Sequence, residues 1–218
     1  MFVKICGITT EEDGLLAVGL GADAVGFVFA PSKRRVTVRT AREIAARLPE
    51  DVMTIGVFRD ESPNRVVESV QRAGLVGAQL HGHESPEQVT SIRTRLRFVV
   101  KAFAAGSSDL DHLDRYQVDA VLLDAPTPGS GEVFDWSLAD AVPDQHRVIL
   151  AGGLTPANVG AAVSQVQPWG VDVSPGVERT PGRKDGPLLR RFVAAARAAE
   201  PEPQHPEGAL PYDWRDDG

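Results

Sequence analysis

A single cysteine, Cys6, in 218 residues excludes an internal disulfide framework and fits a reducing compartment. Positive charge is also scarce, with 23 lysines and arginines against 30 acids and a net charge of −7. That balance argues against nucleic-acid binding, which calls for a basic face. It leaves room for one small phosphorylated ligand, because a few N–H groups and arginines suffice to hold it. No run comes near the ~20 apolar residues of a membrane-spanning helix. The opening residues, MFVKICGITTEEDG, reach acidic side chains before an apolar signal region can form. These absences predict a cytoplasmic protein without nucleic-acid, membrane or obligate protein partners.

What is present is an alternation. Apolar runs at Phe2–Cys6, Ala24–Phe29, Val52–Phe58, Gly77–Leu80, Phe98–Phe103, Ala120–Leu123, Val148–Ala151 and Gly170–Ser174 lack strict polar spacing. Strands covered on both faces have that character. Helix-like segments lie between them, among them Thr40–Leu48 and Pro63–Ala73, for about eight in all. Thr10 is followed by three acids, and Thr155-Pro156 places proline at a first helical position. Strict alternation predicts a parallel sheet: a closed (β/α)8 barrel first, an open doubly wound sheet second. The tail reads EPEPQHPEGALPYDWRDDG, too rich in proline and acid to form a helix. We therefore divide the chain into a catalytic barrel over residues 1–199 and a flexible tail over 200–218, pinned at most through Leu210, Tyr212 and Trp214.

In a barrel, the residues at the C-terminal strand ends carry the chemistry. There the sequence offers Cys6, the Ser32–Arg35 loop, Arg59-Asp60, His81, Asp124, Gly152-Gly153 and Ser174. On spacing alone Cys6 fits a buried structural cysteine better than a base, although Gly7 permits the sharp turn of a strand end. A working Cys6 needs its thiolate, hence a lowered pKa or help from the substrate. Asp124 reads equally well as a solvated carboxylate or as an acid tuned by apolar walls. Gly152-Gly153 and Ser174–Glu178, one βα unit apart, suit a phosphate site built from backbone N–H groups. His81 and His83 alternate along extended backbone and so diverge, which makes a metal site unexpected. Gly129-Ser130-Gly131 lacks the strand–turn–helix setting of a dinucleotide site.

KICGIT (Lys4–Thr9), GADAVGFVF (Gly21–Phe29), SKRRV (Ser32–Val36), GVF (Gly56–Phe58), QLHG (Gln79–Gly82), LLDAPTPGSGEVFDW (Leu122–Trp136), AGGLTPANV (Ala151–Val159) and GVDVSPGVE (Gly170–Glu178) together resemble the phosphoribosylanthranilate isomerases. The resemblance runs from residue 3 to about residue 197. It implies a closed barrel and a cofactor-free Amadori rearrangement in tryptophan biosynthesis, with Cys6 as general base and Asp124 as general acid. It further implies substrate contacts through Arg35, His81 and Asp172, with Arg35 facing the anthranilate carboxylate. Gly152, Gly153, Ser174 and Gly176 would cradle the phosphate. Pro175 departs from the serine usual in DVSSGVE, removing one N–H and one hydroxyl. Two rival readings are another phosphate-binding barrel enzyme, a sugar-phosphate epimerase or histidine-pathway isomerase, and a non-catalytic barrel. Two aspartates typify the histidine-pathway enzyme, so a cysteine after the first strand discriminates against it.

Overall fold

The computed structural model describes residues 1–126 and 134–200. The expected tail, from residue 201 on, and the Gly129–Gly131 segment lie outside the described residues. Eight parallel strands close into a barrel in sequence order: β1 (Phe2–Cys6), β2 (Ala24–Val28), β3 (Met53–Phe58), β4 (Gly77–Leu80), β5 (Phe98–Ala104), β6 (Ala120–Asp124), β7 (Val148–Leu150) and β8 (Gly170–Val173). Closure comes from β1 pairing with β8, Lys4 lying opposite Asp172. The closed form is therefore the one adopted, and the open sheet is excluded.

Side chains on a strand alternate between faces, so each barrel strand sorts its residues by parity. Phe2, Ala24, Met53, Ile55, Phe98, Val100, Ala102, Ala120, Leu122 and Ile149 form an apolar plug inside the barrel. The opposite parity, including Val3, Ile5, Val25, Val99, Val121, Leu123 and Val171, packs beneath the helices. Both faces are dry, which is why the strands read as unbroken apolar runs. The same parity carries the interior row upward to polar residues. Phe2 leads to Lys4 and Cys6, Leu122 leads to Asp124, and Gly170 leads to Asp172 and Ser174.

The helices are α1 (Glu11–Gly19), α2 (Val38–Ala45), α3 (Pro63–Ala73), α4 (Pro86–Arg93), α5 (Val159–Val166) and α6 (Gly186–Ala198). Thr10 caps α1 by accepting from the Asp13 N–H at 3.3 Å. A capping box between Ser85 and Gln88 starts α4, and Gly74 at φ 66° ends α3. The expected eight helices are six among the described residues. After β5 and β6 the chain forms 3-10 turns over Ser108–Arg115 and Trp136–Ala141. Ser107 and Asp135 accept from backbone N–H groups two residues on, a local bonding that competes with the α-helix. Thr155-Pro156 does not open α5 either. Asn158 accepts from the Thr155 N–H at 2.7 Å, forming a turn that delays the helix to Val159. After β8, a 3-10 turn at Pro175–Val177 leads into a hairpin of β9 (Glu178–Thr180) and β10 (Arg183–Lys184).

Candidate active site

At the C-terminal mouth, one pocket is lined by Cys6, Arg34, Gln79, His81, Asp124, Gly152, Gly153, Asp172 and Ser174, among others. Cys6 ends β1, and Gly7 follows at φ 78°, a left-handed turn where a side chain would also meet Arg34 at 2.6 Å. A Cβ on Gly26, across from Cys6 on β2, would lie 2.8 Å from the Cys6 sulfur and 3.2 Å from Lys4 Nζ. Glycine there lets sulfur and ammonium share one space. Lys4 is buried and donates to Asp172 Oδ1 at 2.9 Å.

Burial pushes the Cys6 thiol above its ordinary pKa, against the pull of the Lys4 ammonium, with Asp172 adding to the rise. For Lys4, burial acts downward, but Asp172 and Cys6 outweigh it and hold the ammonium above its usual value. Asp172 thus favours the ammonium of Lys4, and burial favours the thiol of Cys6 beside it.

Asp124 ends β6 and is buried. Its Oδ1 accepts from the Ala125 N–H at 2.8 Å, and its Oδ2 meets His81 Nε2 at 3.1 Å. His81 Nδ1 in turn meets the Gln79 amide nitrogen at 2.9 Å. A side chain on Gly152 would stand 2.5 Å from the Ala125 nitrogen and 3.1 Å from Asp124 Oδ1, so the glycine makes room for the carboxylate. His83 points elsewhere, exposed and 3.3 Å from Asp60. The loop carrying His81 is tied down by Lys101, whose Nζ donates to the Gly82 carbonyl at 2.8 Å and pairs with buried Glu84 at 3.2 Å. Burial lowers the Lys101 pKa, with Glu84 resisting.

Arg35, expected to contact the substrate, lies outside the mouth pocket. Arg35 forms a parallel bridge with Val28, so its side chain and that of Arg34 take opposite sides. Arg34 enters the mouth, and Arg35 lines a neighbouring groove instead. Arg34 Nε and Nη2 grip Glu178 at 2.8 and 2.7 Å, a two-pronged pair that raises the arginine's pKa. Despite its burial, Glu178 is held below its ordinary pKa by Arg34 and by Lys184.

Gly152, Gly153 and Ser174 line the mouth as expected, the two glycines at φ 75° and 62°. Gly176 stands behind it. A Cβ there would fall 1.9 Å from the Leu154 carbonyl, so Gly176 is where the β8 loop backs onto the β7 loop. The Ser174 hydroxyl is buried without a partner among the described residues. Sequence reasoning gave no individual role to Lys4, Arg34, Gln79, Glu178 or Lys184, which the structure brings to or behind the mouth. Lys4 had a signal, a charge inside an apolar strand run; Glu178 and Lys184 had none, because their partners are brought up only by the hairpin.

A closed (β/α)8 barrel whose mouth gathers a thiol, a histidine-bonded carboxylate and a two-glycine turn into one pocket defines a barrel of the enzyme class. The family model for N-(5′-phosphoribosyl)anthranilate (PRA) isomerase matches residues 3–195. The N-(5′-phosphoribosyl)anthranilate isomerase of Desulforudis audaxviator is 48% identical over 204 residues, spanning 90% of this chain and 98% of that protein. The crystal structure of the Thermus thermophilus enzyme superposes with a TM-score of 0.85 at 40% identity, covering 91% of this chain and 99% of the other. A further phosphoribosyl anthranilate isomerase, solved in complex with reduced 1-(o-carboxyphenylamino)-1-deoxyribulose 5-phosphate, matches at 0.79 and 38% over 91% of this chain and 99% of its own. The chain belongs to the PRA isomerase family and is an isomerase of tryptophan biosynthesis. Among the described residues no helix is long and apolar enough to cross a membrane.

Proposed function

We propose that the chain converts N-(5-phosphoribosyl)anthranilate to 1-(2-carboxyphenylamino)-1-deoxy-D-ribulose 5-phosphate, with Asp124 as general acid and Cys6 as general base. The observation that carries this reading is the convergence of Cys6 and Asp124 on one pocket from strands β1 and β6. Asp124 gives its proton to the furanose ring oxygen as the C1′–O bond breaks. The anthranilate nitrogen lone pair then completes a protonated Schiff base. Cys6 thiolate removes the C2′ proton, and the electron pair flows toward that cation to give the enolamine. Loss of the enol hydroxyl proton and uptake of one at C1′ yield the ketone, so the net change is an isomerisation without redox partner or cofactor.

The resting thiol fits this sequence of events. Lys4 already favours the thiolate, and the Schiff-base cation favours it further while making the C2′ proton acidic. His81, bonded to Asp124, would hold that carboxyl in position. Arg34 is the better candidate for the substrate carboxylate than Arg35. Glu178 fixes its planar fork and leaves Nη1 without a partner among the described residues. Gly152, Gly153 and the orphaned Ser174 hydroxyl would receive the phosphate, and Asp172 would act through Lys4. The test is loss of phosphoribosylanthranilate fluorescence on adding purified protein. No loss at micromolar protein would overturn the assignment.

A further inference from the structure

Beside the mouth runs a second groove, between the loops that follow β2 and β3. Three arginines line it, Arg35, Arg59 and Arg65, over a floor where Phe29 and Phe58 stack with ring centroids 5.0 Å apart. It meets the mouth directly, since Pro31, Phe58 and Arg59 belong to both. Arg35 and Arg65 are exposed and make no ion pair among the described residues. Arg59 has only Asp60, at 3.9 Å and with both side chains more than 45% exposed, an arrangement that neutralises little. The groove's own carboxylate is Glu61. Three positive charges against one stand at the entrance of a chain whose net charge is −7.

Like charges held together without partners cost stability, so their place calls for an account in terms of a ligand. The isomerase substrate carries a phosphate and a carboxylate, roughly −2.5 to −3 at neutral pH. The protein's overall charge repels it. At ~10 Å screening length, however, an approaching anion feels mainly the charges nearest the mouth. We propose that the Arg35–Arg59–Arg65 groove is the electrostatic approach path of the substrate, capturing its anionic ends and delivering them across the shared wall to the catalytic pocket. This rests on the isomerase reading, and it assigns Arg35 a task outside the pocket that Arg34 occupies.

The experiment measures kcat/KM for phosphoribosylanthranilate against sodium chloride concentration in the wild type and in an Arg35→Gln/Arg65→Gln double variant. Arg59 is left in place because it also lines the mouth. At low salt the double variant is expected to lose roughly 3–10-fold in kcat/KM with kcat unchanged. The deficit should vanish near ~1 M salt, where screening acts within about 3 Å. Glu61→Gln removes the carboxylate that lines the groove and should raise kcat/KM at low salt. Equal kcat/KM at low salt in the wild type and the double variant would overturn the proposal. So would a deficit that survives high salt, which would make these arginines contact residues. Absence of turnover in the wild type would strike the isomerase reading instead, and the two failures are thereby told apart.

Discussion

Lys184, 178 residues along the chain from Cys6, donates from its buried Nζ to the Cys6 carbonyl at 2.6 Å. The same ammonium reaches the Ser174 carbonyl at 3.2 Å and Glu178 at 2.9 Å. One cation thus joins the end of β1, the end of β8 and the carboxylate that aims Arg34. Burial lowers its pKa, and Glu178 opposes that fall. Replacing Lys184 by Met leaves Glu178 half-paired and two carbonyls without their donor. We expect a stability loss of about 3–5 kcal/mol, read from the urea midpoint. A loss under about 1 kcal/mol would mean that water replaces the ammonium.

For Cys6, the Cys6→Ala variant should lose roughly 10²–10⁴-fold in kcat while product-analogue binding stays within a factor of a few. Retention of full activity removes Cys6 from the mechanism.

The thiol itself can be titrated, since the chain has no other cysteine. Burial sets its pKa above the ordinary 9.0, so the thiolate absorbance that is lost in Cys6→Ala should have its midpoint above 9.0. The sign for folding follows. The unfolded thiol ionises first, so the contribution of Cys6 to stability is intact below 9.0 and is lost as pH rises through the folded value. A midpoint below 9.0 would show that Lys4 outweighs burial.

Asp124→Asn keeps the shape and both hydrogen-bonding positions but has no proton to give. A fall of roughly 10²–10⁴-fold in kcat is expected, with little change in KM. An effect confined to KM would make Asp124 a binding residue.

Pro175 occupies the first position of its 3-10 turn and borders the mouth, where its fixed φ presets the turn. Pro175→Ser restores one N–H and one hydroxyl. KM should fall by up to about fivefold, the equivalent of ~1 kcal/mol for one net hydrogen bond, with kcat nearly constant. A flat or higher KM would show that position 175 gives nothing to the phosphate.

Local pattern carried much of this structure. Gly77–Leu80 and Pro63–Ala73 have the bounds that their apolar runs and flanking punctuation imply. Strand parity then delivers Cys6, His81, Asp124 and Ser174 to one mouth. Local pattern was less informative where side chains compete with the backbone, as at Ser107 and Asp135, where 3-10 turns replace helices. Between two adjacent arginines the resemblance pointed to Arg35, whereas the folded loop, with Arg35 bridged to Val28, brings Arg34 into the mouth. The ion pairs Lys4–Asp172 and Lys184–Glu178 join strands at opposite ends of the chain or lie within a hairpin that no periodicity announces.

The near-contact of Gly176 with the Leu154 carbonyl has a consequence for anyone reshaping this barrel. The βα loops of such a fold are commonly treated as interchangeable parts, each free to be lengthened or swapped. Here the seventh and eighth interlock so closely that not even a methyl group fits between them. They must be transplanted as one piece. A library that varies either loop alone will mostly sample clashes between them, whereas one that moves the pair together keeps their close contact.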